Sequence, residues 1–197
     1  MRARMALILG SKHCEIREIL LNNKPNEMLK ISSKGTVPVL QLSNKVLDES
    51  LDIISWAIKS NAPNVHFYNK SEESLSSELI ELFDSKFKYH LDRYKYSSRY
   101  GEDLEVHQEE CRIILENLEV KIDHSPWIFG KKISLLDISI LPFIRQCKIA
   151  DPDWFFEQNF SNVIQLLNYF ENGDLFAQAM QKYEIWDPMK NNGNIFP

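Results

Sequence analysis

Apolar residues change their spacing near residue 60, and the change divides the chain into two regions. Before it, short elements alternate. Met1–Gly10 predicts a helix with Met5, Ile8 and Leu9 on its apolar face and Gly10 as its stop. His13–Leu21 predicts a strand, with Cys14, Ile16 and Ile19 apolar between Glu15, Arg17 and Glu18. Pro25–Ile31 predicts a short helix opened by Asn23 or by proline at its first turn. Val37–Leu42 and Val46–Leu47 predict two strands joined by the Ser43-Asn44 turn, and Glu49–Lys59 a helix carrying Leu51, Ile54 and Ile58. After Pro63 only helices are predicted: Glu72–Tyr96, Leu104–Ile122, Ser134–Cys147, Asn162–Phe170 and Leu175–Tyr183. The expected domains are therefore an α/β unit over 1–61 and an all-helical unit over 71–197. A linker lies at Ala62–Lys70, and the Asn-rich tail after Pro188 is expected to be disordered.

Composition narrows the function. The 197 residues are 44% hydrophobic and 26% charged, with a formal charge of −5 that argues against a general nucleic-acid binder. Lys86–Tyr100 interleaves basic residues with Tyr89, Tyr94, Tyr96 and Tyr100, but its helical spacing sets Phe83, Phe87, Leu91 and Tyr94 on one face and leaves most cations in solvent. No apolar run approaches the roughly 20 residues needed to span a bilayer. Three scattered cysteines with no C-x-x-C fit a reducing, cytoplasmic compartment. The five histidines show no metal-binding spacing, so no metal is expected.

Two local patterns carry chemistry. Ser134-Leu135-Leu136-Asp137 reads as a capping box with Asp in place of Glu, flanked by Ile133 and Ile138 as a staple, and the helix it opens contains Pro142 as a bend. The second runs from Lys24 to Ser50. Val37-Pro38 is an X-Pro bond at a strand entrance, where a cis peptide is available and would turn the Val37 backbone outward. Asp48-Glu49-Ser50 stands where a strand gives way to a helix. The helix amides and the Ser50 hydroxyl suit a carboxylate, and Glu49 suits an ammonium. Residue by residue, a plainer reading stays open: Asp48 or Ser50 caps the helix and Pro38 stiffens a strand.

With these residues in view the chain resembles the cytosolic glutathione transferases, most closely the omega-like and bacterial branches with a glutaredoxin-type active site. Lys24-Pro25, Gly35-Thr36-Val37-Pro38-Val39-Leu40, Asp48-Glu49-Ser50, Phe129-Gly130, Ser134–Asp137 and Pro142–Gln146 carry the resemblance. It implies a thioredoxin-like N-terminal domain followed by an all-helical C-terminal domain, a homodimer, glutathione as co-substrate, and a small electrophile or disulfide as the second substrate. It implies further that Val37 pairs by its backbone with the cysteinyl part of glutathione beside a cis Pro38. Glu49 and Ser50 would hold the γ-glutamyl end, Lys24 would meet the glycine carboxylate, and Tyr89 and Tyr94, with His90, would border the hydrophobic-substrate pocket.

One departure accompanies the match. In this branch the first helix starts at a Cys-Pro-x-Cys or Ser motif behind a first, central strand, whereas Met1 falls inside that helix. The first strand is therefore expected to be missing, with two sheet edges exposed, and no catalytic residue is assigned. Cys14, at a strand entrance beside Glu15, reads as a buried strand thiol. The absent nucleophile leaves a second reading, a non-catalytic interaction module of the same fold.

Overall fold

The computed structural model describes residues 1–58, 62–101, 103–122, 126–190 and 192–197. In chain order the elements are α1 (Arg2–Leu9), β1 (Cys14–Ile16), α2 (Asn26–Ile31), β2 (Leu40–Gln41), β3 (Val46–Leu47), α3 (Ser50–Ala57), β4 (Val65–His66), α4 (Lys70–Leu82), a π-helical turn (Phe83–Phe87), α5 (Lys88–Lys95), α6 (Ser97–Tyr100), α7 (Leu104–Glu119), β5 (Ile133–Ser134), α8 (Leu135–Ala150), α9 (Pro152–Glu157), α10 (Ser161–Glu171), α11 (Asp174–Ala179) and β6 (Asn194–Phe196). They form two compact units, Met1–Pro63 with Asp174–Pro197, and Asn64–Gly173. The C-terminal segment, which its helical periodicity aligned with the second region, closes the first unit instead.

In the first unit α1 packs on α3 and on α11. Being covered from two sides, α1 buries Ala3 and the whole of Met5–Leu7, and the expected Met5/Ile8/Leu9 stripe gives way to that broader face. Gly10 permits the α1–α3 approach: a Cβ there would lie 2.8 Å from the carbonyl carbon of Ala57. The strand expected across His13–Leu21 forms a ladder only at Cys14–Ile16, with single bridges from Glu18 to Ile185 and from Leu20 to Asn23. Likewise only Leu40–Gln41 of the expected Val37–Leu42 strand pairs, with Val46–Leu47.

The tail corrects another expectation. Its end is a strand. β6 lies antiparallel to β1 with Cys14 opposite Phe196 and Ile16 opposite Asn194, so one edge of β1 expected to be open is covered. Phe196 is buried and its ring meets Tyr183 edge-on at 6.3 Å. Arg4 ties the same segment down, donating to the Gln181 carbonyl at 2.8 Å while ion-pairing with Glu18. The Trp186 amide donates to the Glu18 carbonyl at 2.8 Å, and the Arg17 guanidinium stacks over the Trp186 ring.

Among the described residues, the second unit is helical apart from one small parallel pair and a Trp127–Gly130 bridge. The expected linker 62–70 contains β4, which pairs with β5 at Val65–Ile133 and His66–Ser134. Two residues of strand are too short to register as periodicity. The Glu72–Tyr96 stripe is correct in its face, burying Leu79, Phe83, Phe87, Leu91 and Tyr94, but it is interrupted by the π turn. Phe83 and Phe87 stack there with centroids 4.6 Å apart.

The capping box forms around α8. Asp137, fully buried, accepts from the Ser134 amide at 2.7 Å, the Ser134 hydroxyl at 2.6 Å and the Ile128 amide at 3.1 Å. Burial pushes its carboxyl up to about 6 against the pull of those donors. α8 runs unbroken through Pro142. Cys111 and Cys147 are buried thiols, as their helical faces imply.

Candidate functional site

The β2–β3 hairpin sets the geometry. Because Leu40 pairs with Leu47, the residues just before β2 and just after β3 emerge at the same end of the hairpin. Those residues are Val37-Pro38 and Asp48-Glu49-Ser50. The Val37–Pro38 peptide is cis, and Val37 is half exposed. Gly35, at φ +60, turns the chain into this segment, and a Cβ built on it would come within 3.9 Å of Lys24 Cδ. Lys24 thus lies beside Gly35, two residues ahead of Val37, while Val37-Pro38 and Glu49-Ser50 flank the same end of the hairpin.

The acidic step is not spent on capping α3. Its N-cap residue, Glu49, makes no side-chain cap hydrogen bond. Asp48 accepts from the Ser32 hydroxyl at 2.9 Å and from Lys34 Nζ at 3.1 Å. These two partners, Ser32 first, hold its carboxyl below the usual range. Lys34 Nζ also donates to Glu49 Oε1 at 2.7 Å, and the two carboxylates, Glu49 foremost, raise the ammonium. Arg2 Nη1 lies 3.4 Å from Ser50 Oγ. Chemically the cluster offers a hydroxyl with a guanidinium and the first turn of α3 to a carboxylate, and a pair of carboxylates to an ammonium.

Arg2, Ser32 and Lys34 escape a reading of the sequence. Their partners lie 48, 16 and 14 to 15 residues away. No periodicity links a lone serine or lysine in a turn to an acid beyond the next hairpin.

Tyr89 and Tyr94 belong to the second unit, and their environments differ. Tyr94 is buried on α5, its hydroxyl accepting from Gln108 Nε2 at 3.0 Å and its ring meeting Trp154 edge-on at 5.8 Å. Burial raises its phenol well above the ordinary tyrosine range. Tyr89 is exposed, and the Arg93 guanidinium lies 3.5 Å from its ring centroid. His90 faces α7, its Nδ1 at 2.9 Å from Nδ1 of His107. Cys14 is half-buried, and burial pushes its thiol up, away from thiolate character. Among the described residues no group of three His, Cys, Asp or Glu side chains is arranged to hold a metal ion. No helix among them is long and apolar enough to cross a membrane.

Comparison with known proteins bears on this geometry. Residues 1–66 match the family description "Glutathione S-transferase, N-terminal domain". Glutathione S-transferase DHAR3, chloroplastic, of Arabidopsis thaliana is 29% identical over 141 residues, covering 69% of this chain and 49% of its own. The first 66 residues of this chain carry a glutathione S-transferase N-terminal domain. The chain spans between 47% and 65% of the length of the first curated transferases it matches. The transferase fold is shared with glutathione transferase Omega 3C from Trametes versicolor, at a TM-score of 0.75 and 17% identity over 93% of this chain and 80% of that one. It is shared equally with a transferase family member from Pseudomonas fluorescens solved with two glutathione bound, at a TM-score of 0.75 and 16% identity over 90% and 86%. The transferase architecture of a thioredoxin-like domain followed by a helical domain therefore holds for this chain.

Proposed function

We propose that the first unit binds glutathione and that the protein serves glutathione transfer to a small electrophile, or exchange with a disulfide. The observation that carries the reading is the meeting of Val37-Pro38 and Glu49-Ser50 at one end of the β2–β3 hairpin, with Lys24 alongside Gly35. In this reading the Val37 backbone pairs with the cysteinyl part and Lys24 meets the glycine carboxylate. Ser50, backed by Arg2, takes the γ-glutamyl carboxylate, and Glu49 takes its ammonium. Tyr89 and Tyr94 are proposed on the side of the second substrate. No residue of this chain is assigned to lower the thiol pKa of the bound tripeptide, and the raised Cys14 thiol does not qualify. The free cysteines fit residence in the reducing cytoplasm.

Calorimetric titration with glutathione tests the binding. The expected result is a saturable heat in the micromolar to millimolar range that weakens about tenfold or more in Ser50→Ala and in Glu49→Gln, each of which removes one charge-assisted contact. No heat at millimolar glutathione overturns the proposal. Assembly as a homodimer belongs to the same proposal. Light scattering should return about twice the 23.1 kDa chain mass, and a monomer mass removes that part.

A further inference from the structure

We propose that Lys34 is a resident cation in the ammonium subsite of the glutathione cradle, a side chain of this chain that the ligand's γ-glutamyl end has to displace. The inference rests on the glutathione-binding reading of the first unit and deepens it by naming a residue that sets affinity and selectivity.

Lys34 Nζ stands 2.7 Å from Glu49 Oε1 and 3.1 Å from Asp48 Oδ1. The Ser32 hydroxyl, 2.9 Å from Asp48 Oδ2, fixes the second carboxylate in that orientation. An ammonium has three donors and no acceptor. Lys34 gives two of them to the acids that an α-ammonium of an incoming ligand would need. A second ammonium on Glu49 would lie close to the Lys34 ammonium, and like-charge repulsion disfavours holding both there. Binding of a γ-glutamyl group is therefore an exchange of one ammonium for another.

The exchange is easy by construction. The Lys34 side chain is 49% exposed and that of Glu49 62%, so the pair is screened by water and weak. The lysine stem is flexible and rises from a turn leading into Gly35, so it can leave without moving β2 or α3. Lys34 reaches both acids at once. For a ligand without the ammonium, Lys34 stays in place and neutralises Glu49. Lys34 thus narrows the preference for glutathione over its des-amino analogue, glutaryl-cysteinyl-glycine.

The test is calorimetric titration of the full chain, wild type against Lys34→Ala and Lys34→Arg, with glutathione and with glutaryl-cysteinyl-glycine. Lys34→Ala should bind glutathione roughly two- to fivefold more tightly, the range set by opening exposed ion pairs. It should bind the des-amino analogue no better than wild type, and Lys34→Arg should behave as wild type. The gain should shrink at high salt. Glutathione binding by wild type that is unchanged or weakened in Lys34→Ala overturns this inference and leaves the glutathione reading standing. No heat with either chain overturns both.

Discussion

The Nδ1 atoms of His90 and His107 stand 2.9 Å apart across the packing of α5 on α7. One ring must donate and the other accept, so two imidazolium rings cannot keep this bond. Burial is the main force lowering the pKa of His90 below its ordinary value of 6.5. His107, Lys86 and Arg93 act in the same direction, and Glu110 opposes them. A depressed folded value means that the neutral ring supplies stability above about pH 6.5, lost as pH falls through the folded pKa. Asp137 works in the opposite sense, since its raised value near 6 adds stability as pH falls. Comparison with His90→Gln separates the two. Urea-unfolding curves of wild type and variant should keep a constant offset above pH 7, and wild type should lose stability relative to the variant below about 6.5. A constant offset down to pH 5 would contradict this account.

Phe196 is the anchor of the C-terminal strand. It is buried between Tyr183 and the Arg4 guanidinium, opposite Cys14. Phe196→Ala should cost about 3 kcal/mol, a typical large-to-small loss in a core. Its neighbour Ile195 is exposed, and Ile195→Ala should stay within about 0.5 kcal/mol. Chemical denaturation of the two variants measures the contrast.

Gly10→Ala should destabilise the first unit by about 3 kcal/mol, although φ at −84 is ordinary for any residue. The added Cβ would press on the backbone of Ala57, with the carbonyl carbon at 2.8 Å, and on the Ala6 carbonyl oxygen at 3.1 Å. Backbone cannot swing aside as a side chain can, so α1 and α3 must separate. A melting temperature equal to wild type would refute the close approach.

Glu119, at the end of α7, caps a helix that is not its own. Its carboxylate accepts from the Asn162 amide at 2.7 Å, the Val163 amide at 2.8 Å and the Ser161 hydroxyl at 3.0 Å, all at the start of α10. Glu119→Ala leaves those amides without their anion and should cost about 2 kcal/mol. Glu119→Gln should recover part of it. Equal unfolding midpoints for wild type and Glu119→Ala would rule the cap out.

These residues show what patterning along a chain can reveal. The Leu79–Tyr94 face and the Ser134–Asp137 box are readable because each is a short-range code, one of helical spacing and one of four consecutive positions. The hairpin strands and the Val37-Pro38 and Glu49-Ser50 steps are readable for the same reason. Interactions closing long loops are not. Glu119 with α10, Lys34 with Glu49 and His90 with His107 join residues whose separation has no period. β6 is hidden because the polar, glycine-containing run Asn192-Gly193-Asn194 at its start resembles a loose tail. Its strand character comes from pairing with β1, a tertiary gain that local propensity does not record.

The pairing of β6 with β1 also sets an order of events during synthesis. The first unit is discontinuous, resuming at Asp174 after the whole of Asn64–Gly173 has been made. On the ribosome the helices of the middle segment emerge complete while α1 and β1 still await Arg4's partners and the Phe196 ring. The first unit, to which the proposed ligand cradle belongs, thus closes only after the middle segment is complete.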